Sequence, residues 1–230
     1  MVYFNDNKIA DGGYYINLDS RTDRRDAIEA QLKKYEITGV ERMSAIIDGQ
    51  YAGCLKSHQA IVRQAIDRNW NSVLILEDDF YVMDPPSCGF TPYSKSYKET
   101  MSDVILQSRS LEWDALYFGT ILHAPLLKVT QNLGRVQASK TTQAMVIKQS
   151  IYEEILSLSY AEHGQIDHYY FTTMQKSKIF LSSYPVLFNH GSPAMDYSDL
   201  LGRETTNYNY LLTSYEHYTD DFKEPTNTDE

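Results

Sequence analysis

An unbroken apolar run at residues 73–76 is followed at once by three carboxylates, Glu77, Asp78 and Asp79. Because the run has no polar residue on either face, it is typical of a strand in a parallel sheet that helices cover on both sides. In open α/β sheets, ligands bind beyond the carboxyl ends of the strands. The chain is therefore predicted to fold as an α/β protein with an acidic ligand site at the end of this strand.

The first hundred residues alternate between extended apolar runs and segments with helical apolar spacing. Strands are predicted at residues 14–18, 40–45 and 73–76, with a helix between each pair. Ser20 and Asp23 have the spacing of a capping box at the start of the first helix. This alternation predicts a mostly parallel, Rossmann-like sheet flanked by helices.

The second half of the chain predicts further elements and one domain boundary. Prolines and glycines predict an irregular loop over residues 85–96. The predicted elements after it are a helix at 101–108, strands at 113–118, 126–130 and 144–147, and helices at 151–158 and 167–174. We expect a single domain over residues 1–202, followed at 203–230 by a Tyr-rich helix (208–218) and an acidic tail with seven acidic and two basic residues.

Charge and cysteine content exclude several classes of protein. The formal net charge of −10 disfavours nucleic-acid binding, which depends on neutralising phosphates. Two cysteines, Cys54 and Cys88, are too few for the disulfide framework of a small secreted domain. The sequence shows no signal-peptide pattern and no apolar stretch long enough to span a membrane. We therefore expect a cytoplasmic protein. The Tyr-rich helix is expected to close a site, to pack on the core or to form a homodimer contact.

The three adjacent carboxylates suggest a metal site. They repel one another unless a cation lies between them, and their hard oxygen atoms suit Mg²⁺ or Mn²⁺. Such an ion bridges a diphosphate and neutralises the charge that develops as the diphosphate leaves. The alternative is a solvated acidic turn with no ligand. The sequence has no His-rich ligand spacing, which disfavours a metal-dependent hydrolase.

Four segments spread over residues 14 to about 200 form a recognisable series. They are INLDSRTDRR at 16–25, GCLKSH at 53–58, LILEDD at 74–79, and a last segment made of WDALYFG at 113–119, IDH at 166–168, YP at 184–185 and Ser198-Asp199. In this order they resemble the motifs of glycosyltransferase family 25. That family includes bacterial lipooligosaccharide galactosyltransferases and procollagen hydroxylysine galactosyltransferases. The resemblance implies a GT-A fold that binds a nucleotide-sugar, with a metal ion on the diphosphate.

The resemblance also implies roles for residues at or just after the first strand and near the start of the second helix. Asn17, Arg21 and Arg24 are expected to contact the donor, although a solvated helix face is the alternative for the two arginines. Ser57 is expected to bind the donor, and His58 either to hydrogen-bond the donor or to order a loop.

The acidic triplet and two later residues are expected to bind metal, donor and acceptor. Asp79 is the first choice for metal coordination, with Glu77 and His190 as further ligands. A structural role is the alternative for His190. Asp78 is expected to face the ribose or the donor sugar, and Glu77 to face the opposite side, because neighbours on extended backbone alternate. Asp167 is expected to be the catalytic base, with a helix cap as the alternative. A weaker prediction places Thr141, Thr142 and Gln143 in the sugar pocket.

These inferences combine into one expected activity. The chain is expected to be a metal-dependent hexosyltransferase that uses Mn²⁺ or Mg²⁺ and a UDP-sugar. It would move galactose or glucose to a hydroxyl of a glycan, or of hydroxylysine in a collagen-like chain. The alternatives are a sugar nucleotidyltransferase and an inactive carbohydrate-binding relative. The first of these lacks a Gly-rich, basic loop near the first strand.

Overall fold

The protein is represented by a computed structural model that describes residues 1–49, 51–88, 91–92, 94–190 and 211–212. At a few of these positions, His190 among them, only the backbone is described. Ser198, Asp199 and the predicted acidic tail lie outside the described residues. So does the predicted Tyr-rich helix, apart from residues 211–212, which pair as a strand.

Strands and helices alternate along most of the described chain. The strands are β1 (Val2–Phe4), β2 (Asn7–Ala10), β3 (Gly12–Asn17), β4 (Ile37–Thr38), β5 (Glu41–Ser44), β6 (Ser72–Glu77), β7 (Phe80–Cys88), β8 (Thr91–Pro92), β9 (Ala115–Leu122), β10 (Leu126–Lys128), β11 (Leu133–Arg135), β12 (Ser139–Lys148), β13 (Phe180–Ser183), β14 (Val186–His190) and β15 (Leu211–Leu212). The helices are α1 (Thr22–Lys34), α2 (Ala52–Asp67), α3 (Tyr97–Ser108), α4 (Tyr152–Ser157), α5 (Tyr160–His163), α6 (Ile166–Tyr169) and α7 (Gln175–Ser177). A 3₁₀ turn (Gln149–Ile151) precedes α4, and a π-helical segment (Tyr170–Met174) joins α6 to α7. Among the helices of the described residues, none is both long enough and apolar enough to cross a bilayer.

A single large sheet organises the described residues. Its strand order is β15-β10-β11-β13-β9-β12-β6-β3-β5. β3 pairs in parallel with β5 and β6, and β9 pairs in parallel with β13. Only β11 and β12 run against their neighbours, so the other strands of this sheet share one direction. The predicted α/β class, with a mostly parallel, Rossmann-like sheet flanked by helices, is confirmed.

Two hydrophobic cores lie on opposite faces of this sheet because the side chains of β6 alternate. Leu74 and Leu76 pack on one face with α1. Val73 and Ile75 pack on the other face with α2. Each side chain of β6 is therefore directed toward one helix or the other by its parity, and both cores share the one sheet as a single domain.

Two local predictions are wrong. The capping box at α1 does not form: the N-cap is Arg21, with no side-chain cap. Asp23 instead accepts two hydrogen bonds from the Arg21 guanidinium, at 2.8 and 2.6 Å, because a bidentate charged pair is stronger than a neutral cap. This bonding lowers the pKa of Asp23 to about 2. Residues 85–96 are not irregular throughout, because β7 extends to Cys88 and pairs with β8.

Two small sheets, β2-β1-β4 and β14-β7-β8, lie beside the large one. The pairing of β14 with β7 sets the backbone of His190 opposite Phe80, the residue after the acidic triplet. The sequence did not predict β7 or β14, since each is stabilised by a partner about a hundred residues away rather than by a local pattern. This pairing carries the end of β14 to the acidic site.

Gly119 of β9 lies where β14 passes close to the sheet. A Cβ atom at this position would come within 1.9 Å of the backbone oxygen of Phe188. Because interiors are close-packed, Gly119→Ala must displace β14. We expect the substitution to lower the free energy of unfolding by about 3 kcal/mol, the upper part of the usual range for overpacking. Urea denaturation measures the change.

Gly49→Ala is the control for this substitution. Gly49 has a φ of 64° and no atom within 4 Å of an added Cβ. The added methyl group meets no neighbour, so the cost is limited to the positive φ, about 1 kcal/mol. Equal losses at the two positions would contradict the packing argument.

Candidate functional site

The crevice at the carboxyl ends of β3 and β6 is the switch point of the parallel strands. From β3 the chain passes through α1 to β5 on one side, and then through α2 to β6 on the other side. The two helices cover opposite faces of the sheet, so they diverge at this point. Ligands of open α/β sheets bind in such crevices. The register of β3 on β6 sets Ile16 beside Glu77, so Asn17 and the acidic triplet meet there.

Asp78 is the centre of a hydrogen-bonded group that joins β6 to β3 and α1. Asn17 donates from Nδ2 to Asp78 Oδ2 at 2.7 Å. Arg24 donates from Nη1 to Asp78 Oδ1 at 2.8 Å. Both carboxylate oxygens are thus engaged, and the side chain is only 11% exposed. The structure therefore brings three predicted site residues together, with Asp78 as their anchor.

Asn17 is held from its other side by Arg42. The Arg42 Nε donates to Asn17 Oδ1 at 3.1 Å, and a second guanidinium nitrogen donates to Asp19. Ser44 also donates to Asp19, at 2.6 Å. Sequence reasoning missed Arg42. The signal that identifies it is the register of β5 on β3, which sets Arg42 beside Tyr15 and Ser44 beside Asn17.

Asp79 is more accessible to solvent than Asp78. Its side chain is 33% exposed, and one of its oxygens lies 3.6 Å from the Arg24 guanidinium. Carboxylate oxygens are the ligands that Mg²⁺ and Mn²⁺ prefer. Because both oxygens of Asp78 already accept hydrogen bonds, Asp79 is the aspartate whose chemistry and exposure fit the predicted divalent cation.

Glu77 faces α2, as Val73 and Ile75 do two and four residues earlier in β6. Thr142 donates to Glu77 Oε1 at 2.5 Å, and Nε2 of His58 lies 3.9 Å from the same oxygen. Cys54, one helical turn before His58, completes a group whose ligand atoms all lie within 4.8 Å of one another. Alternation along the backbone thus turns Glu77 away from the partners of Asp78, as expected.

The structure does not bring the predicted metal ligands Glu77 and Asp79 into one group, and the side chain of the third, His190, is not described. Among the described side chains, the group of three with metal-ligand spacing joins Glu77 to two residues of α2 and does not include Asp79. The backbone of His190 lies opposite Phe80, but its side chain lies outside the described residues. Glu77 therefore belongs to the α2 face, and Asp79 stays the predicted ligand of the diphosphate-bound ion.

The two predicted arginines have different surroundings. Arg21 is paired with Asp23 at the N-terminus of α1. Arg24, three residues further along the helix, reaches Asp78. Only the second is thus hydrogen-bonded to the acidic triplet in the described contacts.

Ser57 orders a loop. Its hydroxyl donates to Gly53 O at 2.7 Å and accepts from the amide of Ile46 at 2.9 Å. The side chain is buried, and the two bonds fasten the segment after β5 to the first turn of α2. Gly53 permits this close approach, since a Cβ there would lie 2.1 Å from Ile46 O. Ser57 thus orders this loop, and its contact with the donor stays a prediction.

A bulge in β12 brings polar residues to the same end of the sheet. The register of β12 on β9 shifts after Lys140, and Thr141 has a φ of 77°, which is strained for a β-branched residue. Thr142 and Gln143 are buried, and Thr142 contacts Glu77. Strain of this kind clusters at ligand sites. This observation supports the predicted place of these residues beside a bound sugar.

Asp167 is the second residue of α6, and the helix-cap alternative is wrong. The N-cap is Gln165, while Asp167 Oδ1 accepts from the amide of His168 at 2.8 Å. Burial raises the pKa of the Cys54 thiol, and the charges of Glu77 and Asp167 raise it further. The partly exposed carboxylate of Asp167 therefore lies close enough to α2 to affect the pKa of Cys54.

The π-helical segment after α6 carries Phe171, four residues after Asp167. The Lys140 Nζ lies 5.2 Å from the centroid of this ring. The rings of His123 and His168 lie 5.5 and 6.3 Å from it. A flat apolar face bordered by polar groups is a suitable contact for a sugar. Sequence reasoning missed this group because its members come from separate elements that only the fold brings together.

Comparison with known proteins gives likenesses to solved structures alone. No protein-family model matches the chain, and no curated protein matches it, so membership of glycosyltransferase family 25 stays a prediction. A glycosyltransferase involved in glycosylation of the major capsid of PBCV-1 is 11% identical, with 82% of this chain and 95% of that chain covered and a TM-score of 0.44. A UDP-glucose pyrophosphorylase complexed with UDP-glucose is 10% identical, with 75% and 72% covered and a TM-score of 0.41. A nucleoside-diphosphate-sugar pyrophosphorylase from Vibrio cholerae RC9 is 9% identical, with 84% and 82% covered and a TM-score of 0.41.

Proposed function

We propose that this protein is a metal-dependent glycosyltransferase. It transfers galactose or glucose from a UDP-sugar to a hydroxyl of a glycan or of hydroxylysine in a collagen-like chain. The observation that carries the proposal is the anchoring of Asp78 by Asn17 and Arg24, with Asp79 partly exposed beside them at the switch point. This site suits a nucleotide diphosphate and its cation. The choice of UDP and of these acceptors rests on the resemblance of the sequence motifs.

On the donor side, the residues of β3, β6 and α1 act together. Asp79 would hold a Mn²⁺ or Mg²⁺ ion, and that ion would supply positive charge to the leaving diphosphate. Arg24, already 3.6 Å from Asp79, adds a second positive charge on the same side. Asn17 and Asp78 hold Arg24 in place before the donor binds, so little reorganisation is needed when charge develops.

On the acceptor side, Asp167 takes the proton of the attacking hydroxyl. The hydroxyl oxygen forms a bond to the anomeric carbon of the hexose while the bond from that carbon to the diphosphate oxygen breaks. UDP leaves with the electron pair of the broken bond. Phe171, whose ring lies 6.3 Å from that of His168, offers the acceptor sugar or peptide a flat apolar surface.

The reaction is tested with UDP-galactose and UDP-glucose in the presence of Mn²⁺. Each donor is incubated with a glycan or with a hydroxylysine peptide, and both UDP release and product mass are followed. A product heavier by one hexose supports the proposal. Formation of a UDP-sugar from UTP and a sugar phosphate would instead identify a nucleotidyltransferase. Absence of both reactions, together with sugar binding, would identify an inactive relative.

Arg24→Gln is expected to weaken binding of UDP by about tenfold to a hundredfold, the effect of losing a hydrogen bond to a charged group. The loss arises because Arg24 contacts Asp78 and lies beside Asp79, where the diphosphate is proposed to bind. Isothermal titration with UDP and Mn²⁺ measures the Kd.

Arg25→Gln is the matched control for Arg24→Gln. Arg25 is the next residue of α1, and its guanidinium lies 3.8 Å from the exposed Asp26. The two variants change the net charge equally, so only Arg24→Gln is expected to raise the Kd substantially. An equal rise in both would assign the effect to overall charge and not to the Arg24 contact.

A further inference from the structure

His58 is fully buried, yet neither of its ring nitrogens has a hydrogen-bond partner among the described residues. A buried polar group in this condition costs free energy, and native structures seldom tolerate it without a reason. The only charged group within ion-pair distance of the ring is Glu77, at 3.9 Å among the described contacts. A bound species between the imidazole and that carboxylate would satisfy a ring nitrogen of His58.

Cys54 and Glu77 lie around the same point. Cys54 and His58 are four residues apart on α2, so their side chains project from one face of the helix. Glu77 ends β6 and faces that helix. The sulfur, an imidazole nitrogen and a carboxylate oxygen all lie within 4.8 Å of one another.

We propose that Cys54, His58 and Glu77 bind a zinc-class transition-metal ion. The site is separate from the diphosphate-bound ion proposed at Asp79, and it does not depend on the proposed transfer reaction. Three protein ligands leave a fourth tetrahedral position for a water molecule or a ligand atom.

The spacing of the three side chains is close to that of a zinc site. Ligand atoms bound to zinc at about 2.0 to 2.3 Å in a tetrahedron lie about 3.3 to 3.8 Å apart. The separation of 3.9 Å between His58 and Glu77 is near this range, and the group as a whole needs to contract by about 1.5 Å at most. Small side-chain rotations at the partly exposed Cys54 and Glu77 achieve such a change.

The chemistry of the ligands selects the ion. Thiolate and imidazole ligands favour Zn²⁺ over Mg²⁺ and Mn²⁺, whereas carboxylates such as Asp79 favour the harder ions. The two proposed sites are therefore expected to take different metals. Metal binding at one site can therefore be measured whether or not the other site holds its own ion.

Thr142 positions one ligand of the proposed site. It donates to Glu77 Oε1 at 2.5 Å from the bulged part of β12, next to the strained Thr141. Hydrogen bonds of this kind fix the orientation of a metal-binding carboxylate. A bound ion would consequently link α2, β6 and β12 on one side of the crevice.

Titration of the chelator-treated, full-length protein with Zn²⁺ and with Co²⁺ tests the proposal. We expect one equivalent of either ion per chain and, for Co²⁺, an absorption band from thiolate-to-cobalt charge transfer. An excess of Mg²⁺ or Mn²⁺ is expected to leave this band unchanged. Absence of the band from the wild-type protein would overturn the proposal.

Single substitutions assign the ligands. Cys54→Ser is expected to abolish the charge-transfer band, and His58→Ala and Glu77→Gln are expected to prevent stoichiometric binding. Cys88→Ser and Asp79→Asn are the controls, and both are expected to retain the band. If His58→Ala fails to fold by circular dichroism, Cys54→Ser decides the test. A band that survives Cys54→Ser, or that Cys88→Ser removes, would refute the site.

Thr142→Val tests the positioning role with little change in side-chain volume. We expect the cobalt band to persist while the affinity for Zn²⁺ falls by about tenfold to a hundredfold, as when other residues that orient metal ligands are removed. Competition with a chromophoric chelator measures the affinity. Unchanged affinity would show that Thr142 does not orient Glu77 for the ion.

Discussion

Asp79→Asn is expected to lower Mn²⁺-dependent hexose transfer by about 10²- to 10³-fold, the scale on which a lost charge-stabilising group slows catalysis. Asparagine keeps the size of the side chain and one carbonyl oxygen but removes the charge that holds the ion. Because the Asp79 side chain is partly exposed, the fold is expected to accept the change. UDP release at several Mn²⁺ concentrations measures the effect, with circular dichroism as a check on folding.

Two aspartate substitutions serve as comparisons for Asp79→Asn. Asp26→Asn changes the same charge on the outer surface of α1, where the side chain is 75% exposed, and is expected to leave turnover unchanged. Asp78→Asn removes the anchor of Asn17 and Arg24, so it is expected to raise the Kd of the donor. Full turnover in Asp79→Asn would exclude Asp79 as the metal ligand. An equal loss in Asp26→Asn would assign the effect to net charge.

Asp167→Asn is expected to lower kcat for transfer by about 10²- to 10⁴-fold, the contribution of a general base. The amide does not take the proton of the acceptor hydroxyl at neutral pH, yet its oxygen still accepts the hydrogen bond from His168. Binding of the UDP-sugar is expected to stay unchanged, because the proposed donor contacts come from α1, β3 and β6. Transfer rates and donor Kd values are measured on the same preparation.

Glu162→Gln is the matched control for Asp167→Asn. Its carboxylate lies on α5 with the side chain 76% exposed, and the substitution removes the same charge from a neighbouring helix. We expect wild-type transfer from this variant. Transfer near the wild-type rate in Asp167→Asn would exclude Asp167 as the base. A parallel loss of donor binding would instead make it a residue that positions the donor.

The acidic triplet shows how much of the site could be predicted from local patterns. Its place after a buried strand and the opposite directions of Glu77 and Asp78 both follow from the two-residue period of extended backbone. In the structure the two side chains have different partners, Arg24 at Asp78 and His58 near Glu77. A strand period is a property of adjacent residues, so it is readable without knowing the fold.

Other parts of the site could not be predicted, since they depend on pairings between distant segments. Arg42 reaches Asn17 only because β5 lies in parallel register beside β3. The Cys54, His58 and Glu77 group escaped a search for His-rich spacing because its members come from a helix and from a strand. Whether β14 reaches the triplet depends likewise on its pairing with β7.

The sequence by itself determined the α/β class, the buried strand, and the position of three carboxylates at its carboxyl end. It did so because strand and helix periods and chain order are local properties. Only the tertiary structure decided which partner each carboxylate meets. Register, the crossing of α1 and α2 to opposite faces, and the bulge of β12 arise from packing between residues far apart in the chain. For that reason one acidic motif became two chemically different surroundings, one at Asp78 and Asp79 and the other at Glu77.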